Sequence, residues 1–287
     1  MSATLLLSFA IVLVIGVLIS ERANRTVLST AVLFLLGGFV LGQGGLGVLT
    51  ITAGDPIVGT LAELALFSVL FTDGMRVGLA DLRSAWHLPG RALLLGLPLT
   101  LLITAVLAHV VVGVPWLQAF LLGAVLAPTD PVFAAAIVGR REVPARLRHL
   151  LNVESGLNDG LALPIVLVLI AASGGLSPGG VNASGWALAG EIALGIVVGV
   201  AVPLIVLRLE KLPFLRATTA LQPLVTVSIG LLVLAICEAT HANLFLGAFA
   251  AGITVASYSP RFRREFEQFG ELVTELLKLA AILVFGA

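Results

Sequence analysis

The chain has 287 residues, 59% hydrophobic and only 11% charged, with a mean hydropathy of +1.13. A soluble domain carries about 25% charged residues, so lipid must be the solvent for most of this chain. Its 16 basic and 16 acidic residues cancel, which leaves no basic footprint for nucleic acid. The one cysteine, Cys237, excludes an intrachain disulfide framework and a thiolate metal site. The N-terminal MSATLLLSFAIVLVIG lacks a basic leader and reads as a first span, not a removable signal peptide. Apolar runs of about 17–25 residues predict spans at 3–20, 26–43, 57–76, 90–112, 117–139, 148–172, 187–208, 218–237, 241–258 and 271–287. The expected fold is an all-α polytopic membrane protein of about ten transmembrane helices. The last run, ELLKLAAILVFGA, stops at Ala287 without a polar tail, so the fold is expected to continue and the chain to be truncated at its C-terminus.

Basic residues alternate with the spans. The loops after spans 1, 3, 5, 7 and 9 hold 15 of the 16 Lys and Arg residues, from Arg22 and Arg25 to Arg261, Arg263 and Arg264. The loops after the even spans hold none, and Lys278 falls inside span 10. By the positive-inside rule the N-terminus lies outside and the odd-to-even loops face the cytoplasm. RFRREFEQFGELV, residues 261–273, mixes charges with Phe262, Phe266 and Phe269. It reads equally as an amphipathic segment lying along the cytoplasmic interface or as an ordinary polar loop.

A carboxylate inside a bilayer costs several kcal/mol unless it is paired or hydrated, which makes it a functional candidate. Asp73, Asp81, Glu142, Glu210, Glu265, Glu267 and Glu271 mingle with cytoplasmic basic residues and read as solvated charges. Glu191 and Glu238 lie nearer outer ends. Glu63, Asp130, Glu154 and Asp159 fall within spans. In span 5, Pro128 and Pro131 bracket Thr129 and Asp130. Two prolines so close remove two backbone donors and clash with preceding carbonyls, so the helix should break there. Such breaks are tolerated at membrane depth only where protein or water satisfies the freed groups, and in transporters they supply ion ligands. Span 6 carries Glu154, Ser155, Asn158 and Asp159 within two turns, with Glu154/Asn158 and Ser155/Asp159 each spaced to share a face. Spans 5 and 6 run in opposite directions, and Asp130 and Asp159 both lie roughly 14–17 Å from the cytoplasmic ends of their spans. Carboxylates, hydroxyls, an amide and loosened carbonyls make a hard-oxygen site suited to a small monovalent cation such as Na⁺. Burial disfavours a bare carboxylate. A proton and a cation then compete for one group, and only the neutralised site crosses the low-dielectric barrier.

The PTDP of residues 128–131, the RLRHLLNVESGLND of 146–159 and, more weakly, the LFTDGMRVGLADLR of 70–83 resemble the bacterial sodium/proton antiporters of the monovalent cation:proton antiporter family. The resemblance covers essentially the whole chain. It implies an antiporter fold in the bacterial inner membrane, a homodimer, elevator-like alternating access and a role in pH homeostasis. It implies a scaffold and dimerisation part at 1–78 and 187–287, and the first half of an ion-binding core at 90–172. It implies that Asp159 is the main cation and proton carrier, supported by Asp130 and Thr129 and by Glu154 and Ser155. Asn158 stands where electrogenic relatives have a second aspartate, which implies electroneutral exchange. Similar proteins continue for about three further spans, including a second broken helix. No enzymatic activity and no cofactor are expected; the partners are the transported cation, H⁺ and the bilayer.

Other readings are an ion channel, which would need acid rings or a selectivity loop, and an intramembrane aspartyl protease, whose GxGD context is absent around Asp159. A structural or sensory membrane protein is the bland alternative, and a K⁺/H⁺ antiporter is the nearest competitor. Glu63 reads as a helper acid or an interhelical hydrogen-bonding group. His241 reads as interfacial, and His87 and His149 as cytoplasmic residues with a possible share in pH sensing. Gly247 and Gly252, with Ala248, Ala250 and Ala251, make span 9 smooth enough for close packing, within the chain or between copies. Cys237 reads as a small buried hydrophobe.

Overall fold

The structure is a computed structural model that describes residues 3–23, 30–52, 54–76, 95–128, 144, 162, 165–166, 168–170, 185–212, 214–215, 217–218 and 221–287. Among the described residues there is no β-strand. The helices are α1 (Ala3–Ala23), α2 (Thr30–Leu41), α3 (Pro56–Arg76), α4 (Leu97–Leu107), α5 (Trp116–Leu126), α6 (Gly185–Glu210), α7 (Gln222–Thr240), α8 (Leu244–Tyr258) and α9 (Pro260–Gly286). Ala3–Ser20, Pro56–Arg76, Ala189–Glu210 and Gln222–Thr240 are long and apolar enough to cross a membrane by length and composition. Large apolar side chains point outward: Leu18 of α1 is 78% exposed and Val111 74%. In water such a surface would aggregate; in lipid it is the solvated face. Chain contacts divide the molecule into two units, Met1–Val69 with Phe269–Ala287, and Leu70–Gln268.

In the first unit α1 and α2 pack as a hairpin. Phe34, Leu279 and Leu283 form one buried cluster, flanked by Phe9, Val12 and Leu13. Leu5, Leu49 and Val284 form a second, against Ile57, Val58 and Leu61 of α3. Gly38 and Gly286 permit close approach of α2 and α9. A Cβ on Gly38 would meet the Leu283 carbonyl, and one on Gly286 the Leu35 carbonyl. The Thr274 hydroxyl donates to the Ser68 carbonyl at 3.4 Å, which sets the register of α9 on α3.

In the second unit α4 and α5 form a second hairpin. α4 continues through a π-helical turn, Ala108–Val112, and ends at Gly113, whose φ of 79° is left-handed and suits only glycine at no steric cost. The His109 and Trp116 rings stack at 4.0 Å across that turn. α6, α7 and α8 pack on one another, with α8 the most deeply buried. Asn243 caps α8 by accepting from the Leu246 amide at 3.0 Å. His241 ends α7 in a left-handed conformation, φ 54°.

The small residues of α8 face this chain's own helices. A Cβ on Gly199 would strike the Gly247 carbonyl, one on Gly247 the Cys237 sulfur, and one on Gly252 the Phe71 carbonyl. The close packing left open by the sequence is thus intrachain for Gly247 and Gly252. Cys237 is free and fully buried among these helices, as a small hydrophobe would be.

The segment at 261–273 departs from the reading as a polar loop. It is helical from Pro260, continuous with span 10. Phe262 and Phe266 are buried, and the Phe266 ring meets Phe71 edge-on at 5.6 Å. Phe262 and Phe266 thus serve the protein interior. The cause is the glycine pair Gly74 and Gly252, which brings the end of α3 onto α8 and makes an apolar seat with Phe71 at its edge.

Candidate functional site

The six predicted ion-site residues, Thr129, Asp130, Glu154, Ser155, Asn158 and Asp159, lie outside the described residues, as do Asp81, His87, Glu142 and His149. Their flanks are described. The α-helix of span 5 stops at Leu126, and Ala127 and Pro128 form a bend. Proline is the physical reason. Its ring disfavours a helical residue before it and clashes with the carbonyl four residues back. Ala127 is buried in a cluster with Leu97 at the start of α4 and with Ala162 of span 6, against Leu101 and Ile165. Ala127 stands three residues before Asp130, and Ala162 three after Asp159. The described ends of the two motif-bearing spans therefore share one buried cluster, each contributing an alanine. Gly123, one turn earlier in α5, rests against the Leu101 carbonyl of α4. Small residues at such contacts let transmembrane backbones approach closely.

The cytoplasmic end of α3 carries a polar cluster in the second unit. Asp73 is 8% exposed and pairs with Arg76 at 3.4 Å. The expectation of a freely solvated Asp73 is corrected here: the packing of Gly74 on α8 draws that turn inside. Arg263 donates to the Arg76 carbonyl at 2.6 Å, placing positive charge at a helix C-terminus, where the dipole favours it. Arg261 donates to the Gln222 side-chain carbonyl at 2.6 Å. The cluster ties α3 and α7 to the first turns of α9.

Two charged features of the first unit lie within spans. Lys278 is ion-paired with Glu275, three residues earlier on the same helix. Glu275 is the acid that hydropathy reading passes over. Its signal in the sequence is the Glu-x-x-Lys spacing, which puts both groups on one face. Glu63 of α3 is exposed and makes no hydrogen bond or ion pair among the described residues. Neither predicted role for it, helper acid or interhelical hydrogen bond, is seen among the described residues. These residues also include no group of three or more His, Cys, Asp or Glu able to hold a metal ion.

With this geometry in place, comparison with known proteins gives a consistent picture. Residues 9–286 match the family described as "Sodium/hydrogen exchanger, transmembrane". The chain is 33% identical over 168 residues to the K(+)/H(+) antiporter NhaP of Alkalimonas amylolytica, covering 55% of this chain and 29% of that one. It is 26% identical over 280 residues to the K(+)/H(+) antiporter NhaP2 of Shewanella sp. (strain MR-4), covering 96% of this chain and 48% of that one. The chain spans about half the length of that curated relative. Its fold is similar to that of the sodium proton antiporter MjNhaP1 from Methanocaldococcus jannaschii, with a TM-score of 0.76 at 19% identity over 99% of this chain and 72% of that one.

Proposed function

The chain belongs to the sodium/hydrogen exchanger family of transmembrane proteins, and on that premise we propose that it exchanges a monovalent cation, Na⁺ in first place, for H⁺ across a bacterial inner membrane. The observation that carries this reading is the family match, which runs through residues 9–286 and so contains the TDP and ESxxND segments whole. The buried cluster that Ala127 and Ala162 share with Leu97 supports it, because it brings together the flanks of those two segments.

In this proposal Asp159 binds cation and proton in turn. Asp130, Thr129, Glu154, Ser155 and Asn158 supply further oxygens. Binding either ion neutralises the carboxylate, and a neutral site crosses the apolar barrier at far lower cost than a bare charge. Obligatory exchange follows, with no resident cofactor and no covalent step. Residues 90–172 form the first half of the mobile ion-binding part, and 1–78 with 187–287 the scaffold, which pairs two copies into a homodimer. The N-terminus lies outside, as the basic residues of the odd-to-even loops require. A second reading, K⁺ in place of Na⁺, is favoured by the printed names of the Alkalimonas and Shewanella relatives.

The test is reconstitution of the full-length protein in proteoliposomes. Asp159→Asn should abolish Na⁺-driven proton flux. Flux retained in that variant overturns the assignment, and wild-type flux with K⁺ but not Na⁺ selects the second reading.

A further inference from the structure

Residues 211–221 join α6 to α7, two helices long and apolar enough to cross a membrane. The connection therefore lies at the level where two spans leave the hydrocarbon. Tight turns keep it there. The Lys211 amide donates to the Arg208 carbonyl at 3.3 Å, Leu212 to Leu209 at 3.0 Å, Leu215 to Leu212 at 3.0 Å and Leu221 to Thr218 at 2.9 Å. Each bond closes over three residues, so the backbone curls near the helix ends and does not reach out into water.

Its side chains suit neither plain water nor plain hydrocarbon. Phe214 is 80% exposed, and Leu212, Leu215 and Leu221 are exposed with it. Arg208, Lys211 and Arg216 stand in the same stretch against one acid, Glu210. Arg208 and Lys211 are exposed and make no ion pair among the described residues. Apolar tips beside unpaired cations match the boundary of a bilayer. Rings and branched chains enter the acyl layer there, and cationic heads stay with the phosphates.

We propose that the α6–α7 connection docks on anionic phospholipid headgroups, with Phe214 and Leu215 in the acyl boundary and Arg208 and Lys211 on the phosphates. Charge complementarity selects this partner. A zwitterionic headgroup carries its own cation, whereas an anionic one answers the net positive charge of the stretch. The bilayer also stands at that level already, because both flanking helices end in it. On the orientation proposed above this is the cytoplasmic leaflet, whose surface potential attracts juxtamembrane Lys and Arg. α6 and α7 belong to the proposed scaffold, so a lipid grip here holds the frame against which the mobile part travels. The surface itself needs only the spanning of α6 and α7, and holds whichever cation is exchanged.

The test labels Phe214→Cys with bimane in the full-length protein, its native cysteines, Cys237 included, replaced by alanine. Vesicles are of phosphatidylcholine with and without phosphatidylglycerol. Lipids with a nitroxide headgroup should quench the label. Aqueous iodide should not, read in phosphatidylcholine alone, where no surface charge repels it. Nitroxide-labelled phosphatidylglycerol should quench at a lower mole fraction than labelled phosphatidylcholine. Arg208→Gln and Lys211→Gln should each lower that preference, by about fivefold. Leu215→Cys repeats the measurement with Phe214 in place, in case the first variant fails to fold. Quenching by iodide alone puts the connection in water and overturns the inference. Shielding from both iodide and lipid means that protein covers it, and overturns the inference too. Equal quenching by the two lipids, or a preference unmoved by either charge variant, overturns the anionic partner. Proton flux in the same vesicles reports separately on exchange.

Discussion

Asp130 shows how far a single residue can be read from its neighbours. Its flanking prolines predict a broken helix, and α5 ends at Leu126, just before the first of them. A carboxylate beside loosened carbonyls is a ligand for a hard cation. Asp130→Asn keeps the shape and removes the charge, so apparent cation affinity should fall about tenfold or more, equivalent to roughly 1.4 kcal/mol. Na⁺ dependence of proton flux in proteoliposomes measures this, and wild-type affinity would refute a ligand role. Asp73 marks the opposite limit. Among arginines in sequence it looks solvated, yet it is 8% exposed. No local pattern reveals this, because the residues that enclose its turn come from α8, far along the chain.

Helices pack here through glycine, and this decides which faces meet. Gly252 of α8 lies so near the Phe71 carbonyl that any side chain must displace backbone. Gly252→Val should therefore destabilise by about 3 kcal/mol or more, the upper end for overpacking a rigid contact. The readout is the unfolding midpoint of the detergent-solubilised protein. Gly190→Ala is the control: nothing lies within 4 Å of its added Cβ, and its midpoint should hold or rise slightly through helix propensity. If both variants behave alike, the packing account of α8 is wrong. α9 carries the same lesson. Its charged first turns look like loop or interface, but buried Phe262 and Phe266 and the Arg263 bond to the Arg76 carbonyl make them part of one 27-residue helix.

For the whole molecule, the proposed electroneutral cycle is the property to measure. The resemblance that puts Asn158 in place of a second carboxylate implies one proton exchanged per cation, so in this proposal exchange moves no net charge. The rate in proteoliposomes should not change when a potential of about 100 mV is imposed; one uncompensated charge would feel about 2.3 kcal/mol. A strong voltage dependence would remove the one-for-one stoichiometry. At this scale the sequence by itself determined much. Hydropathy located the spans to within a few residues of α1, α3, α6 and α8, and the prolines located the break. Two short motifs indicated the family to which the chain belongs. What only the tertiary structure decided is which apolar faces meet protein and which meet lipid. Lipid tails are as apolar as leucine, so hydropathy cannot tell a buried face from a lipid-facing one. The seating of Gly252 on Phe71 and the burial of Asp73 come from helices far apart in sequence, brought together by backbones close enough to touch.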